Sequence, residues 1–120
     1  IRLVALTVNA GPGGPQKAIV TLDVEGQHET REAVGDGPVD AMFKAIKSIA
    51  PHEATLQLYQ VGAVTEESDA QAEVSVRLGE GDKIVTGRGA DTDTMVASAK
   101  AYVSALNKLV TRRAKSKPEG

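Results

Sequence analysis

Few residues of this 120-residue chain have the type and spacing for covalent or acid–base chemistry. Its two histidines are His28, in a polar strand-like run, and His52, directly after Pro51 in a turn. Neither has a spaced partner, so both read as surface residues without a catalytic role. Asp36 and Asp40 stand one helical turn apart, a spacing open to paired carboxylates but equally suited to a helix cap and a first-turn acid that complements the helix dipole. No HExxH, EF-hand or phosphate-loop spacing occurs. The absence of Cys removes thiol nucleophiles, thiolate metal sites and disulfides.

The glycine-rich turns offer binding rather than catalysis. Gly11-Pro12-Gly13-Gly14 is not followed by a helical pattern and reads as a plain flexible loop. Gly35-Asp36-Gly37-Pro38 and Gly87-Arg88-Gly89 each lead toward one. A helix start presents unpaired N–H groups and partial positive charge, and glycine lets a ligand approach the backbone. Such a place suits a carboxylate, while Asp36 or Asp40 beside it suits an ammonium. Together these groups describe a receptor for a zwitterionic amino acid, with Leu56, Tyr59 and Ala63 as an apolar wall. On residue types alone, ordinary capping turns account for the same pattern.

The elements that must position these residues follow from hydrophobic periodicity. Ile1 to Asn9 is β-rich, and Ala18, Val20, Leu22 and Val24 alternate with polar neighbours as a half-buried strand does. Gly26 turns the chain into a polar strand, Gln27 to Val34. The period then becomes helical, with Val39, Met42, Phe43, Ile46 and Ile49 on one stripe. Asp36 or Gly37 is the expected cap, Pro38 suits the first turn, and Pro51 bars continuation beyond Ala50. The plan then repeats. Strand-like runs cover Ala54 to Val64, Ala70 to Leu78 and Lys83 to Gly87, with a hairpin at Gly79-Glu80-Gly81-Asp82. A helix is expected from about Thr94 to Val110, with an apolar stripe of Val96, Ala99, Val103, Leu106 and Val110 widened by Tyr102 and Leu109. Gly35 to Asp40 and Gly89 to Thr94 occupy equivalent places in the repeat. The expected fold is α+β: two βββα units related by an internal repeat, packed together and dimeric. Residues 1–110 form the domain, and 111–120 form a frayed, solvated, basic tail.

Composition narrows the function classes. Fourteen Lys and Arg against sixteen Asp and Glu leave a net charge of −2, which gives no electrostatic footprint for nucleic acid. No apolar run approaches the roughly 20 residues that a membrane span needs. No signal peptide is visible, and a cytoplasmic location is expected. A chain that opens at Ile1 within a strand-like run reads as part of a longer protein.

Four separated motifs in register carry a resemblance. They are Gly35-Asp36-Gly37-Pro38-Val39-Asp40-Ala41, Leu58-Tyr59-Gln60-Val61, Asp69-Ala70-Gln71-Ala72-Glu73-Val74, and Gly87-Arg88-Gly89-Ala90-Asp91-Thr92-Asp93 running on to Asn107. From about Ile1 to Leu109 the chain resembles the C-terminal allosteric (dimerisation) domain of 2-isopropylmalate synthase. The resemblance implies two βββα units behind a TIM-barrel catalytic domain that condenses acetyl-CoA with 2-oxoisovalerate in the first committed step of leucine biosynthesis. It implies that this fragment is not an enzyme by itself and holds no cofactor, the divalent metal belonging to the catalytic domain. Its implied partners are leucine as feedback inhibitor, a second copy in a homodimer, and its own catalytic domain, with no nucleic acid and no membrane. By matching motifs, Gly35, Asp36, Gly37, Val39 and Asp40 surround the effector backbone, and Leu56, Tyr59, Ala63 and Ala70 line its side-chain pocket. Thr94, at the equivalent point of the second half, is a weaker candidate. Asp36 stands where many relatives carry Asn, and Asp40 where some carry Ala. Two rival readings are the isoleucine-sensing domain of citramalate synthase and a dimerisation module without effector binding. A stand-alone enzyme working through Asp36 and Asp40 is a third, from another class.

Overall fold

The computed structural model describes residues 1–9, 12, 14–65 and 70–116, without the side chains of 64, 65 and 112–116. The chain divides into two compact units, Ile1–His52 and Glu53–Gly120. In the first, strands β1 (Arg2–Asn9), β2 (Gln16–Val24) and β3 (Gln27–Gly35) precede helix α1 (Pro38–Ile49). In the second, β4 (Thr55–Thr65), β5 (Ala70–Glu80) and β6 (Lys83–Asp91) precede α2 (Thr94–Ser116). Each unit holds one three-stranded antiparallel sheet in chain order, with β2 or β5 at its centre. The expected βββα plan is therefore present twice.

The alternation read in the central strands decides which face each sheet buries. Ala18, Val20 and Leu22 of β2 are fully buried under α1, whose Ala41, Met42, Phe43, Ala45 and Ile46 are buried in turn. Val74, Val76 and Leu78 of β5 do the same in the second unit. Each Val, Leu, Ile, Met or Phe among them contributes about 1.5–3 kcal/mol by leaving water. The hairpin between β2 and β3 turns at Glu25 and Gly26, both at positive φ (52° and 88°), a backbone that needs a glycine more than any other residue.

The two units also share an irregularity. Register shifts by one residue between Leu3 and Ala5 in β1, opposite Leu22, and between Leu56 and Leu58 in β4, opposite Leu78. A bulge at the same place in both halves supports the internal repeat more strongly than composition does.

Three expectations change. The strand β6 does not stop at Gly87 but runs to Asp91, so Gly87 and Gly89 are strand residues rather than a turn. With Pro38 matching Thr94 as the first helical residue, Gly37 matches Asp93, and the equivalence moves by two residues from the expected one. Second, the stripe of α2 that meets its own sheet is Ala97, Ala101 and Ala105, which face Gly87 and Gly89. Small residues allow the backbones to approach closely there. Of the expected stripe, Ala99, Val103 and Leu106 are buried, as are Tyr102 and Leu109 that widen it, whereas Val110 is 51% exposed. Third, α2 continues past Val110 to Ser116, because Thr111 to Ser116 contains no Gly or Pro and ends in cations that suit a helix C-terminus. Residues 117–120 of the expected tail lie outside the described ones.

Candidate functional site

The first group of candidate residues lies where β3 hands over to α1. Gly35, the last residue of β3, has no room for a side chain: a Cβ there would stand 2.5 Å from the Ala41 amide nitrogen and would strike the Asp40 carboxylate. Gly37 is the N-cap, with extended backbone and no side-chain hydrogen bond to the helix, and Pro38 opens the first turn. The expected alternatives for the cap thus settle on Gly37 and not Asp36. The Gly37 carbonyl accepts from Ala41 N–H at 2.9 Å, so the orphan donors of the turn are those of Val39 and Asp40. Among the described residues no side chain is recorded on them.

Asp40 looks back along the chain instead. Its Oδ2 accepts from the Asp36 N–H at 3.0 Å and pairs with Lys44 Nζ, also at 3.0 Å. The Asp36 amide first, and Lys44 second, hold the Asp40 carboxyl below its ordinary range. A carboxylate lowered on folding adds stability above its ordinary pKa and loses it as pH falls through the folded value. Asp40→Asn is therefore expected to cost stability at neutral pH, with the gap to the parent closing as pH falls below the carboxylate range. The side chain is 43% exposed, so the gap stays under about 1 kcal/mol. Urea titrations at neutral and acid pH check this; a gap that is constant with pH would refute it. Asp36, exposed, makes no ion pair among the described residues.

The matching start of α2 is built differently. Asp93 caps it, its Oδ1 accepting from Met95 N–H at 2.8 Å and Val96 N–H at 3.4 Å. Asp91 in turn accepts from Asp93 N–H at 2.9 Å and pairs with Lys100 at 3.0 Å. Asp93 thus takes two first-turn donors of α2, those of Met95 and Val96, whereas the start of α1 has no side-chain cap. Gly87 and Gly89, expected to admit a ligand, have the α2 backbone against them on the helix side. They serve packing.

The second group lies in the other unit. The helix α2 packs on β6 and β5 rather than β4. Leu56, Tyr59, Val61 and Ala63 pair with Leu78, Val76, Val74 and Ala72, so they share the buried face of β5 without the same helical cover. Leu56 and Val61 are 44% and 46% exposed. At one end of this face Ala63 and Ala70 meet Thr94 around an open hollow of ≈ 400 Å³, completed by Val61, Ala72 and Thr92 among others. Leu56 and Tyr59 do not line it. The Tyr59 hydroxyl lies 2.8 Å from Ser98 Oγ, whose own proton goes to the Thr94 carbonyl at 2.8 Å, so Tyr59 is the donor. This chain ties β4 to the first turn of α2. Ser98, fully buried, and Val61 lie in the motifs that carry the resemblance but are not among the expected site residues, though Val61 alternates with Tyr59 and Ala63 as a wall residue should.

His28 is exposed, as expected, but His52 is buried at 8%. Burial alternates there, with Pro51 and Glu53 exposed and His52 and Ala54 buried. Among the described residues no group of three His, Cys, Asp or Glu could hold a metal ion, and no helix is long and apolar enough to cross a membrane.

Comparison with known proteins gives one consistent result. The family model described as the LeuA allosteric (dimerisation) domain matches residues 1–110. A protein named 2-isopropylmalate synthase from Methylobacterium nodulans is 64% identical over 110 residues, covering 92% of this chain and 21% of its own length. One of the same name from Rhodopseudomonas palustris (strain BisB18) is 59% identical over 118 residues, and one from a Bradyrhizobium species is 58% identical over 120. The chain spans 23% of the length of each of these two.

Proposed function

Because the chain belongs to the LeuA allosteric (dimerisation) domain family, we propose that it is the regulatory part of a 2-isopropylmalate synthase and that it binds leucine for feedback inhibition. The condensation of acetyl-CoA with 2-oxoisovalerate belongs, on this reading, to a catalytic domain elsewhere in the protein, with its divalent metal. The domain works as a homodimer in the cytoplasm.

The open start of α1 carries this reading. The N–H groups of Val39 and Asp40 and the partial positive charge of the helix end suit an α-carboxylate. Asp36 supplies the carboxylate for the ammonium, since Asp40 is already committed to the Asp36 amide and Lys44. Gly35 and Gly37 keep the backbone of this turn bare. The motif match assigns the side chain of the effector to Leu56, Tyr59, Ala63 and Ala70, with Thr94 a weaker candidate; Ala63, Ala70 and Thr94 line the hollow of the second unit, and Leu56 and Tyr59 lie on the apolar face of β4. An effector inhibits only if it binds one global state better than another, and coupling of about 1–3 kcal/mol is typical.

A thermal melt tests the reading directly. The midpoint is expected to rise with millimolar leucine and less with valine. Leucine raising it more than isoleucine favours the synthase reading over a citramalate synthase. No shift with any branched-chain amino acid would refute effector binding.

A further inference from the structure

The outward face of the second sheet carries a cationic hollow unrelated to the groups above. Arg77 of β5 pairs with Thr86 of β6, and Arg88 pairs with Ser75, so the two arginines are diagonal neighbours on one face. Long side chains reach each other at that spacing. It is the face opposite Val76, Leu78 and Val85, and both arginines are exposed. Lys108 arrives from α2 around the free edge of β6, where its Nζ donates to the Thr86 carbonyl at 2.6 Å. Arg77, Thr86, Arg88, Ser104 and Lys108 together line a hollow of ≈ 280 Å³.

Among the described residues, three cations and two hydroxyls line this hollow, and no carboxylate does. Among the described residues neither arginine makes an ion pair. Glu73 lines an adjoining hollow with Arg88, Ser75, Gln60 and Gly62. Like charges held together without a counter-charge repel, and an anion bound among them removes that cost. The chemistry of the lining selects the anion. Guanidinium forks match the oxygens of a phosphate two at a time, an ammonium adds a point charge, and hydroxyls donate to the remaining oxygens. The volume lies at the lower limit of small-molecule pockets, about 300 Å³, and so suits a compact ligand.

We infer that the hollow of Arg77, Arg88 and Lys108 binds a phosphate dianion, either free or as the phosphomonoester of a small molecule. Nothing in this site draws on the α1 start or on the Ala63–Ala70 hollow, so it stands apart from the leucine reading. Calorimetric titration of the protein with inorganic phosphate and with glycerol 3-phosphate, at ionic strength held constant with sodium chloride, tests it. Saturable binding in the millimolar range or tighter is expected. The double variant Arg77→Gln/Arg88→Gln should weaken it about tenfold, since two charge-assisted forks are lost, without moving the melting midpoint. Glu73→Gln should tighten it. Tighter binding of glycerol 3-phosphate than of phosphate identifies an ester as the ligand, and the reverse identifies free phosphate. Absence of saturable binding, or equal affinity in the parent and the double variant, overturns the inference. Should the double variant not fold, Glu73→Gln decides: unchanged affinity overturns the site.

Discussion

Gly87→Ala is expected to destabilise the second unit by about 3 kcal/mol, the upper end of the range for overpacked cores. The new methyl would land against the Ala101 carbonyl oxygen and the Ala105 amide nitrogen, and 2.9 Å from the Ala105 Cα. All three atoms are helix backbone. A side chain can rotate out of the way, but these atoms move only if α2 lifts from β6, and lifting it exposes Ala97, Ala101 and Ala105 together. Gly89→Ala meets the same obstacle at the Ala97 carbonyl, 2.5 Å away. Small domains have only about 5–15 kcal/mol of stability in total, so the loss is large. Gly62→Ala is the control. Its nearest neighbour is the Glu73 carbonyl at 3.9 Å, an ordinary contact, and its effect should stay within about 0.5 kcal/mol. Urea denaturation followed by far-ultraviolet circular dichroism compares the three. Equal midpoints for Gly87→Ala and Gly62→Ala would show that α2 does not press on β6.

These glycines mark the boundary of what is legible in the sequence. Alternation in Ala18 to Leu22 and in Val74 to Leu78 reports burial directly, because a strand between two edge strands with one covered face must alternate. The stop of α1 is equally local, since Pro51 bars continuation of the helix beyond Ala50. Gly87-Arg88-Gly89 reads as a turn for an equally sound local reason, the freedom of glycine. Its true role depends on Ala97, Ala101 and Ala105 crossing above it, and that contact has no local signature. The bulges after Leu3 and Leu56 are invisible for the same reason, being set by pairing across the sheet. The misplaced end of β6 then hid a difference between the halves. Once Gly37 is matched with Asp93, one helix start is bare and the other is closed by its own aspartate. The candidate residues themselves divide similarly. Those of the α1 start are contiguous and could be gathered from sequence, whereas Ala63, Ala70 and Thr94 meet only because β4 and β5 pair and α2 begins beside them.

Gly37→Ser is expected to remove the leucine response while leaving the unliganded protein as stable as before or slightly more so. The site accepts the substitution. Gly37 has φ −148°, extended backbone that any residue adopts, and a Cβ there meets nothing within 4 Å. A serine at the N-cap places its oxygen on the N–H of the second or third helical residue, here Val39 or Asp40, the arrangement Asp93 already makes at α2. The gain over glycine is a few tenths of a kcal/mol. Those N–H groups are the ones assigned to the leucine carboxylate. A ligand that must first displace the hydroxyl loses a charge-assisted hydrogen bond, and its affinity should fall about tenfold or more, equivalent to about 1.4 kcal/mol, so at a leucine concentration near the dissociation constant of the parent the shift drops to almost nothing. The two effects have opposite signs, which separates this mechanism from general damage to the fold. A destabilised variant would melt lower with and without leucine, whereas a capped one melts at or above the parent and no longer responds. If Gly37→Ser keeps the full leucine shift, the effector carboxylate does not use the start of α1. If it loses the shift, the bare helix start is the feature that separates the two halves of the repeat in function as well as in structure.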